Sequence, residues 1–189
     1  MQFTYQGYTC LLYTSGGLIP RKRFDLLLEA YAGMPCKDQC CLRIVGEGPL
    51  LTRLEALAQE LGIKEQVMFL GAVANQQLPE WYSQADCFVL ASDVETFGVV
   101  YAEAMACGLP VIATRCGGPE DFVKEDNGLL VDKNDVKALS NAMQFMFENK
   151  NRFKSSQIAA ETQKFYGEDT ICKQLLSAYQ QAIRKRAKR

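Results

Sequence analysis

The sequence predicts an α/β fold in which a parallel sheet is covered by helices on both faces. Short apolar runs of strand length alternate with longer segments of helical period, as in parallel strands joined by crossover helices. The short runs are apolar almost throughout, which is typical of strands buried on both faces. After the last run the helical period continues to the end of the chain, so we expect a helical C-terminus.

Six apolar runs are the expected strands. They lie at residues 10–14, 41–45, 66–70, 87–90, 110–113 and 128–131. Between them, leucine and aromatic side chains recur at the three- and four-residue spacing of a buried helix face. The clearest cases are Phe24, Leu27, Leu28 and Tyr31, then Leu50, Leu54, Leu57 and Leu61. About six strands connected in this way predict a Rossmann-like sheet.

Length and composition favour one soluble domain. The chain has 189 residues, of which 48% are hydrophobic and 23% charged, and a domain commonly takes about 100–200 residues. No internal repeat or Pro-, Gly- or Ser-rich linker marks a boundary. We expect a single domain at residues 10–189, preceded by a leader or disordered segment at residues 1–9, where the pattern is weakest.

The near-equal numbers of basic and acidic residues make nucleic acid an unexpected partner. Lys and Arg number 21 against 22 Asp and Glu, so no overall positive field favours nucleic acid. The basic end at residues 184–189 is either a solvated helix end or a contact for anionic lipid headgroups. With no signal peptide and no stretch of the roughly 20 apolar residues that a membrane span requires, we expect a cytoplasmic protein, with that end as a candidate for peripheral membrane contact.

The eight cysteines contain no Cys-x-x-Cys pair and mostly lie in apolar runs, where a thiol packs as a small hydrophobe. Cys36, Cys40 and Cys41 cluster, but a zinc site there would need a fourth ligand from elsewhere. The chain has no histidine, which removes mechanisms based on an imidazole base within it. Its chemistry must use carboxylates, cations or backbone groups.

Ligands of a doubly wound sheet bind beyond the carboxyl ends of the strands, and glycines occur in several of the loops there. Gly16 and Gly17 precede three cations at residues 21–23 at a helix start, which favours phosphate binding, although a solvated surface is the simpler alternative. Gly46 begins a tight turn that connection chemistry alone explains. At Val73 an interrupted apolar run either exposes backbone to a nucleobase or forms a plain turn.

The strongest segment follows the fourth strand. Glu95 lies in the loop, a helix begins near Gly98, and Glu103 falls more than one turn inside that helix among small and apolar residues. A buried carboxylate needs a partner, so Glu103 is either a structural ion or a ligand-binding group. Backbone N–H groups of Phe97, Gly98 and Val99 are suited to a diphosphate, and the carboxylates can accept bonds from hydroxyl groups. These features fit a sugar nucleotide.

With these residues assembled, the chain resembles the C-terminal, donor-binding domain of family 4 (group 1) glycosyltransferases of the two-domain GT-B type. The resemblance runs from about Leu11 to the C-terminal helix. Residues 95–111 reproduce the family pattern of two glutamates separated by seven residues in Phe-Gly-x-x-x-x-Glu-Ala-Met-Ala-x-Gly-x-Pro-Val. Shorter matches stand in the family's order at residues 46–49, 69–71, 85–86, 117–120 and 127–131.

The resemblance implies a retaining glycosyltransferase that uses a UDP-, GDP- or ADP-sugar. Glu95 would hold hydroxyls of the donor sugar and Glu103 those of the ribose. Lys22 matches the lysine that contacts the donor diphosphate and would neutralise charge on the leaving nucleotide, so that no metal is required. Lys22 and Glu95 are therefore the expected catalytic residues.

Two departures from the family pattern leave alternatives open. The family commonly has Gly-Arg-Leu where residues 16–18 are Gly-Gly-Leu. Arg21 and Arg23 are the candidates for the second cation, although the spacing does not select either. The N-terminal domain that binds a glycan or lipid-linked acceptor does not fit within this length. A non-catalytic nucleotide-sugar-binding module, a GT-B sugar-nucleotide epimerase and a generic nucleotide-binding domain are the alternatives.

Overall fold

The fold is one parallel sheet with helices on both faces, as expected from the sequence. The computed structural model describes residues 8–187. The strands are β1 (Cys10–Ser15), β2 (Cys40–Val45), β3 (Val67–Phe69), β4 (Cys87–Leu90), β5 (Val111–Thr114) and β6 (Gly128–Val131). All neighbours pair in parallel in the order β3-β2-β1-β4-β5-β6. This is the doubly wound order, with the switch point between β1 and β4.

Seven α-helices are described. They are α1 (Phe24–Ala32), α2 (Leu51–Glu60), α3 (Leu78–Ser83), α4 (Val99–Ala106), α5 (Val136–Glu148), α6 (Ser155–Tyr166) and α7 (Glu168–Ala187). Helix α1 contacts α2 and α5, whereas α4 contacts α3 and α6. Each group buries its apolar stripe against the sheet, which explains why the strands are apolar on both faces.

The central strands differ from the edge strand in burial. All six residues of β1 and of β2 are buried, whereas β3 pairs only with β2 and keeps two partly exposed residues. Strand β3 is consequently shorter than the predicted strand at residues 66–70. Because parallel strands end at one edge, the loops after β1, β2, β4 and β5 meet there.

The chain ends in helices, as predicted, but α7 differs from the others. Its apolar side chains are exposed: Ile171, Leu175, Leu176, Tyr179 and Ile183. The basic side chains at residues 184–186 are exposed as well, and residues 188–189 of the predicted basic end lie outside the described part of the chain. Residues 1–7 of the predicted leader also lie outside the described part of the chain. Thr9, which belongs to the same predicted leader, donates its N–H to the Gln39 carbonyl at 2.8 Å. None of the helices between residues 8 and 187 has the length and apolar character needed to cross a bilayer.

Candidate functional site

A cavity of about 280 Å³ opens where the loops after β1, β2 and β3 meet helix α4. It is lined by Ser15, Gly16, Gly17, Val45, Gly46, Glu47, Ala72, Val73, Asn75, Leu78, Val100 and Glu103. Gly16, Gly17, Gly46, Val73 and Glu103 were predicted from the sequence as site residues. They come from four separate segments, so the fold brings together groups that lie far apart in the chain.

Backbone forms part of the cavity wall because two glycines meet there. Gly46 has a φ of +141°, and a Cβ on it would lie 1.9 Å from the carbonyl oxygen of Gly16. No side chain fits at that distance. A Cβ on Gly16 would lie 3.6 Å from Cε of Lys22, which puts the predicted lysine directly beside this wall.

Lys22 and Glu95 form an ion pair although they are 73 residues apart. Lys22 Nζ lies 2.6 Å from Oε1 of Glu95, and the two side chains are only 12% and 11% exposed. Ser92 Oγ donates to the same oxygen at 2.7 Å. Among residues 8–187, no hydrogen bond reaches the other oxygen, Oε2. The ion pair joins the two residues predicted to be catalytic.

The backbone of Glu95 is fastened to the glycine-rich loop after β5. Its N–H donates to the Cys116 carbonyl at 3.1 Å, and its carbonyl accepts from Gly118 N–H at 2.9 Å. A Cβ on Gly118 would lie 2.4 Å from Cα of Phe97. The glycine is therefore required by the close approach of the two loops, and it positions the carboxylate.

Helix α4 begins at the candidate site. Gly98 is its N-cap with a φ of +86°, and a Cβ there would lie 2.7 Å from the Tyr101 ring. Within residues 8–187, the N–H groups of Phe97, Gly98 and Val99 donate to no other residue. Unpaired N–H groups at a helix start attract anions, so the geometry keeps these predicted donors available.

Glu103 has a tyrosine as its partner instead of a cation. Tyr82 Oη donates to Oε2 of Glu103 at 3.5 Å and lies 3.2 Å from Ser15 Oγ. Burial raises the pKa of Glu103, and the hydrogen bond from Tyr82 partly opposes that rise. No ion pair of Glu103 is formed within the described chain, so a structural role would rest on the hydrogen bond from Tyr82.

The two arginines proposed to supply a second cation point elsewhere. Arg21 and Arg23 line a different cavity of about 440 Å³ beside α1 and α2. Arg23 Nε donates to Asp25 at 3.1 Å and its Nη1 to Asp93 at 3.4 Å, and it also contacts Asn134. The hydrogen bond to Asp25 is the main reason that the pKa of Arg23 is raised. Neither arginine lines the cavity that holds Gly16, Gly17 and Glu103. The Arg21 carbonyl accepts from Asp93 N–H at 2.8 Å, and Arg23 has a left-handed backbone with a φ of +49°. That one of them supplies the second cation stays a prediction.

Sequence reasoning missed the hydroxyl groups that contact the two glutamates. Ser92 stands three residues before Glu95, and that local spacing was the available signal. Tyr82 left no signal, because its contact with Glu103 depends on how α3 packs beside α4. Of the three clustered cysteines, Cys36 and Cys40 are in contact, with their Sγ atoms 3.8 Å apart. Within residues 8–187, no group of three or more His, Cys, Asp or Glu side chains is arranged for a metal ion.

Several known proteins are similar to this chain in sequence and in fold. The family model described as glycosyl transferases group 1 matches residues 9–164. A GDP-mannose-dependent α-(1-6)-phosphatidylinositol monomannoside mannosyltransferase of Mycolicibacterium smegmatis is 38% identical over 67% of this chain and 35% of its own length. The sucrose-phosphate synthase structure from Thermosynechococcus elongatus has 32% identity and a TM-score of 0.85, covering 93% of this chain and 46% of that one.

The structure of the Anabaena protein HepE in complex with UDP-glucose has 27% identity and a TM-score of 0.82, over 90% of this chain and 48% of that one. This chain thus spans about a third of the curated relative and less than half of each solved chain. Residues 9–164, which the family model matches, contain the cavity, the Lys22–Glu95 pair and helix α4.

Proposed function

Because this chain belongs to the group 1 glycosyl transferases, we propose that it binds the nucleoside-diphosphate sugar in a retaining transfer reaction. The observation that carries the proposal is the Lys22–Glu95 pair, with its 2.6 Å contact, beside a cavity that also holds Glu103. A cation, two carboxylates and the start of a helix are the groups that a sugar nucleotide requires. The family membership supports a transferase.

The sugar nucleotide would lie across these groups in the order nucleobase, ribose, diphosphate and sugar. The nucleobase would lie against backbone near Val73 and Gly46, and the ribose hydroxyls would donate to Glu103. The diphosphate would lie between the N–H groups at the start of α4 and the ammonium of Lys22. The sugar hydroxyls would donate to Glu95. Each contact pairs a donor with an acceptor or an anion with a cation.

The chemistry would centre on the leaving group. When the bond between the anomeric carbon and the diphosphate oxygen breaks, the electron pair stays on that oxygen, and the leaving nucleotide gains negative charge. The ammonium of Lys22 would stabilise this charge, as would the oriented N–H groups of α4. A metal ion commonly stabilises the charge on a leaving diphosphate. Because Lys22 would take that role here, we propose that no metal is required. The acceptor hydroxyl oxygen then bonds to the anomeric carbon on the same face of the sugar, which is retention, and its proton passes to the departing diphosphate oxygen.

Two donor classes are supported by similar proteins. The mycobacterial relative is named for GDP-mannose, and the Anabaena structure contains UDP-glucose. We propose a glycan or lipid-linked acceptor that a further domain presents from the cytoplasmic side, with the exposed basic end of α7 as a contact for anionic lipid.

The test is a titration of the 189-residue chain with UDP, GDP and ADP and with their glucose or mannose conjugates. Calorimetry and thermal shift would be run with and without magnesium. Selective stabilisation by one nucleotide without magnesium is the expected result and names the base. An absolute need for magnesium would refute the metal-independent mechanism, and no response to any nucleotide would refute the donor site of this chain.

A further inference from the structure

Glu95 accepts two hydrogen bonds on one carboxylate oxygen. The two groups that donate them would respond differently when a sugar nucleotide binds. Lys22 Nζ and Ser92 Oγ lie 2.6 and 2.7 Å from Oε1. A diphosphate carries more negative charge than one carboxylate, so the ammonium is attracted to it. The serine hydroxyl is neutral and stays on the carboxylate.

Ser92 is fixed by burial and by a hydrogen bond to its backbone. It is fully buried, with 0% of its surface exposed, and its carbonyl accepts a hydrogen bond from the hydroxyl of Thr114 in β5. Thr114 is also 0% exposed. The backbone of Glu95 is bonded to Cys116 and Gly118 in the loop that follows β5. Since both residues are attached to the same strand and loop, the hydroxyl-to-carboxylate bond has a fixed geometry.

A carboxylate whose cation leaves would otherwise be free to rotate. Oε2 of Glu95 accepts no bond from residues 8–187, so it is the oxygen available to a ligand. One retained bond on Oε1 restricts the rotation of the carboxylate and keeps Oε2 pre-organised, which lowers the entropic cost of binding. This argument rests on the proposed function, because it requires that Lys22 and Glu95 bind different parts of one donor.

We propose that Ser92 is a positioning residue for the donor sugar. Its hydroxyl holds Oε1 of Glu95 after Lys22 has turned to the diphosphate, and Oε2 then accepts the sugar hydroxyls. Ser92 itself touches neither the sugar nor the nucleotide. Its removal therefore affects recognition of the sugar and not of the bare nucleotide, whereas a loss of folding would affect both.

The experiment compares Ser92→Ala with the parent chain and with Ser140→Ala, which removes another buried hydroxyl, in α5. Calorimetry measures the dissociation constants of UDP and UDP-glucose, and of GDP and GDP-mannose. In Ser92→Ala we expect the preference for the sugar conjugate to fall by about tenfold, the factor for one lost hydrogen bond to a charged group. The affinity for the bare nucleotide stays at the parent value. Ser92→Thr keeps the hydroxyl and should restore the preference.

The outcomes separate this inference from the proposed function. A parent chain that binds no nucleotide refutes the proposed function and leaves no donor for Ser92 to position. An unchanged preference in Ser92→Ala, or equal losses for the nucleotide and its conjugate, overturns the positioning role while the donor site stands. A double-mutant cycle of Ser92→Ala with Glu95→Ala, which removes the acceptor, checks the bond in urea without ligand. Additive effects in that cycle would overturn the proposal as well.

Discussion

Replacing Glu103 by glutamine separates the ribose-binding role from a structural one. The carboxylate lies in the wall of the cavity, and burial raises its pKa. A hydrogen bond to a charged acceptor contributes about 1.5–3 kcal/mol, against about 0.5–1.5 kcal/mol for a neutral one. With one ribose hydroxyl bonded, Glu103→Gln should weaken nucleoside diphosphate binding by about 1–1.5 kcal/mol, roughly five- to tenfold.

Stability should respond in the opposite direction. Because burial disfavours the charged form and no cation offsets it within residues 8–187, the neutral glutamine removes a desolvation cost. The raised pKa means that the folded state binds this proton more readily than the unfolded state does. The ionised form is therefore less favourable for folding at neutral pH, and the parent chain recovers that part of its stability as the pH falls through the raised pKa. We expect the urea midpoint of Glu103→Gln at neutral pH to equal or exceed the parent value.

The assay uses a ligand that lacks the hydroxyls. Calorimetry compares UDP with 2′,3′-dideoxy-UDP, and GDP with its dideoxy analogue, in the parent chain and in Glu103→Gln. The penalty for losing the hydroxyls should be smaller in the variant. Glu60→Gln, at an exposed position of α2, serves as the control for the loss of one negative charge. If the dideoxy penalty is the same in parent and variant, Glu103 does not bind the ribose and the reasoning is refuted.

Three further predictions concern the rest of the site. Lys22→Met should weaken nucleoside diphosphate binding by about tenfold through the loss of one charge-assisted bond, whereas Arg21→Met, in the neighbouring cavity, should not; equal losses by calorimetry would point to general electrostatics. Glu95→Gln should reduce the preference for the sugar conjugate over the bare nucleotide, and an unchanged ratio of dissociation constants would contradict the sugar role. Gly46→Ala should destabilise the fold by about 2–4 kcal/mol in urea, because its Cβ meets backbone at a positive φ. Gly62→Ala, at a φ of +68° with nothing within 4 Å, should cost less, and an equal cost would show that the contact with backbone does not matter.

The order of strands and helices was predictable because hydrophobic period is a local property. The runs of β1, β2 and β4 are mostly apolar, with Arg43 in β2 as the charged exception. Each intervening stripe has helical spacing, so neither pattern depends on distant residues. The edge strand β3 shows the limit of this reasoning. Its length depends on having a partner on one side only, which the local pattern does not contain.

The candidate site was partly predictable for the same reason. Glu95, Gly98 and Glu103 lie in one segment, so their spacing predicted a helix start flanked by two carboxylates. The partners of those carboxylates were not predictable. Lys22 meets Glu95 across 73 residues, and Tyr82 meets Glu103 from another helix.

By itself the sequence determined the fold class, because hydrophobic spacing is written along the chain, and it predicted candidate residues and a class of ligand from residue type. Only the tertiary structure decided that Lys22 bonds to Glu95 while Arg21 and Arg23 line another cavity. The direction of a side chain follows from backbone dihedrals and from the contacts that distant segments make. The loops after β4 and β5 meet at Gly118, where the Glu95 carbonyl accepts a hydrogen bond, and that contact forms only when the sheet assembles.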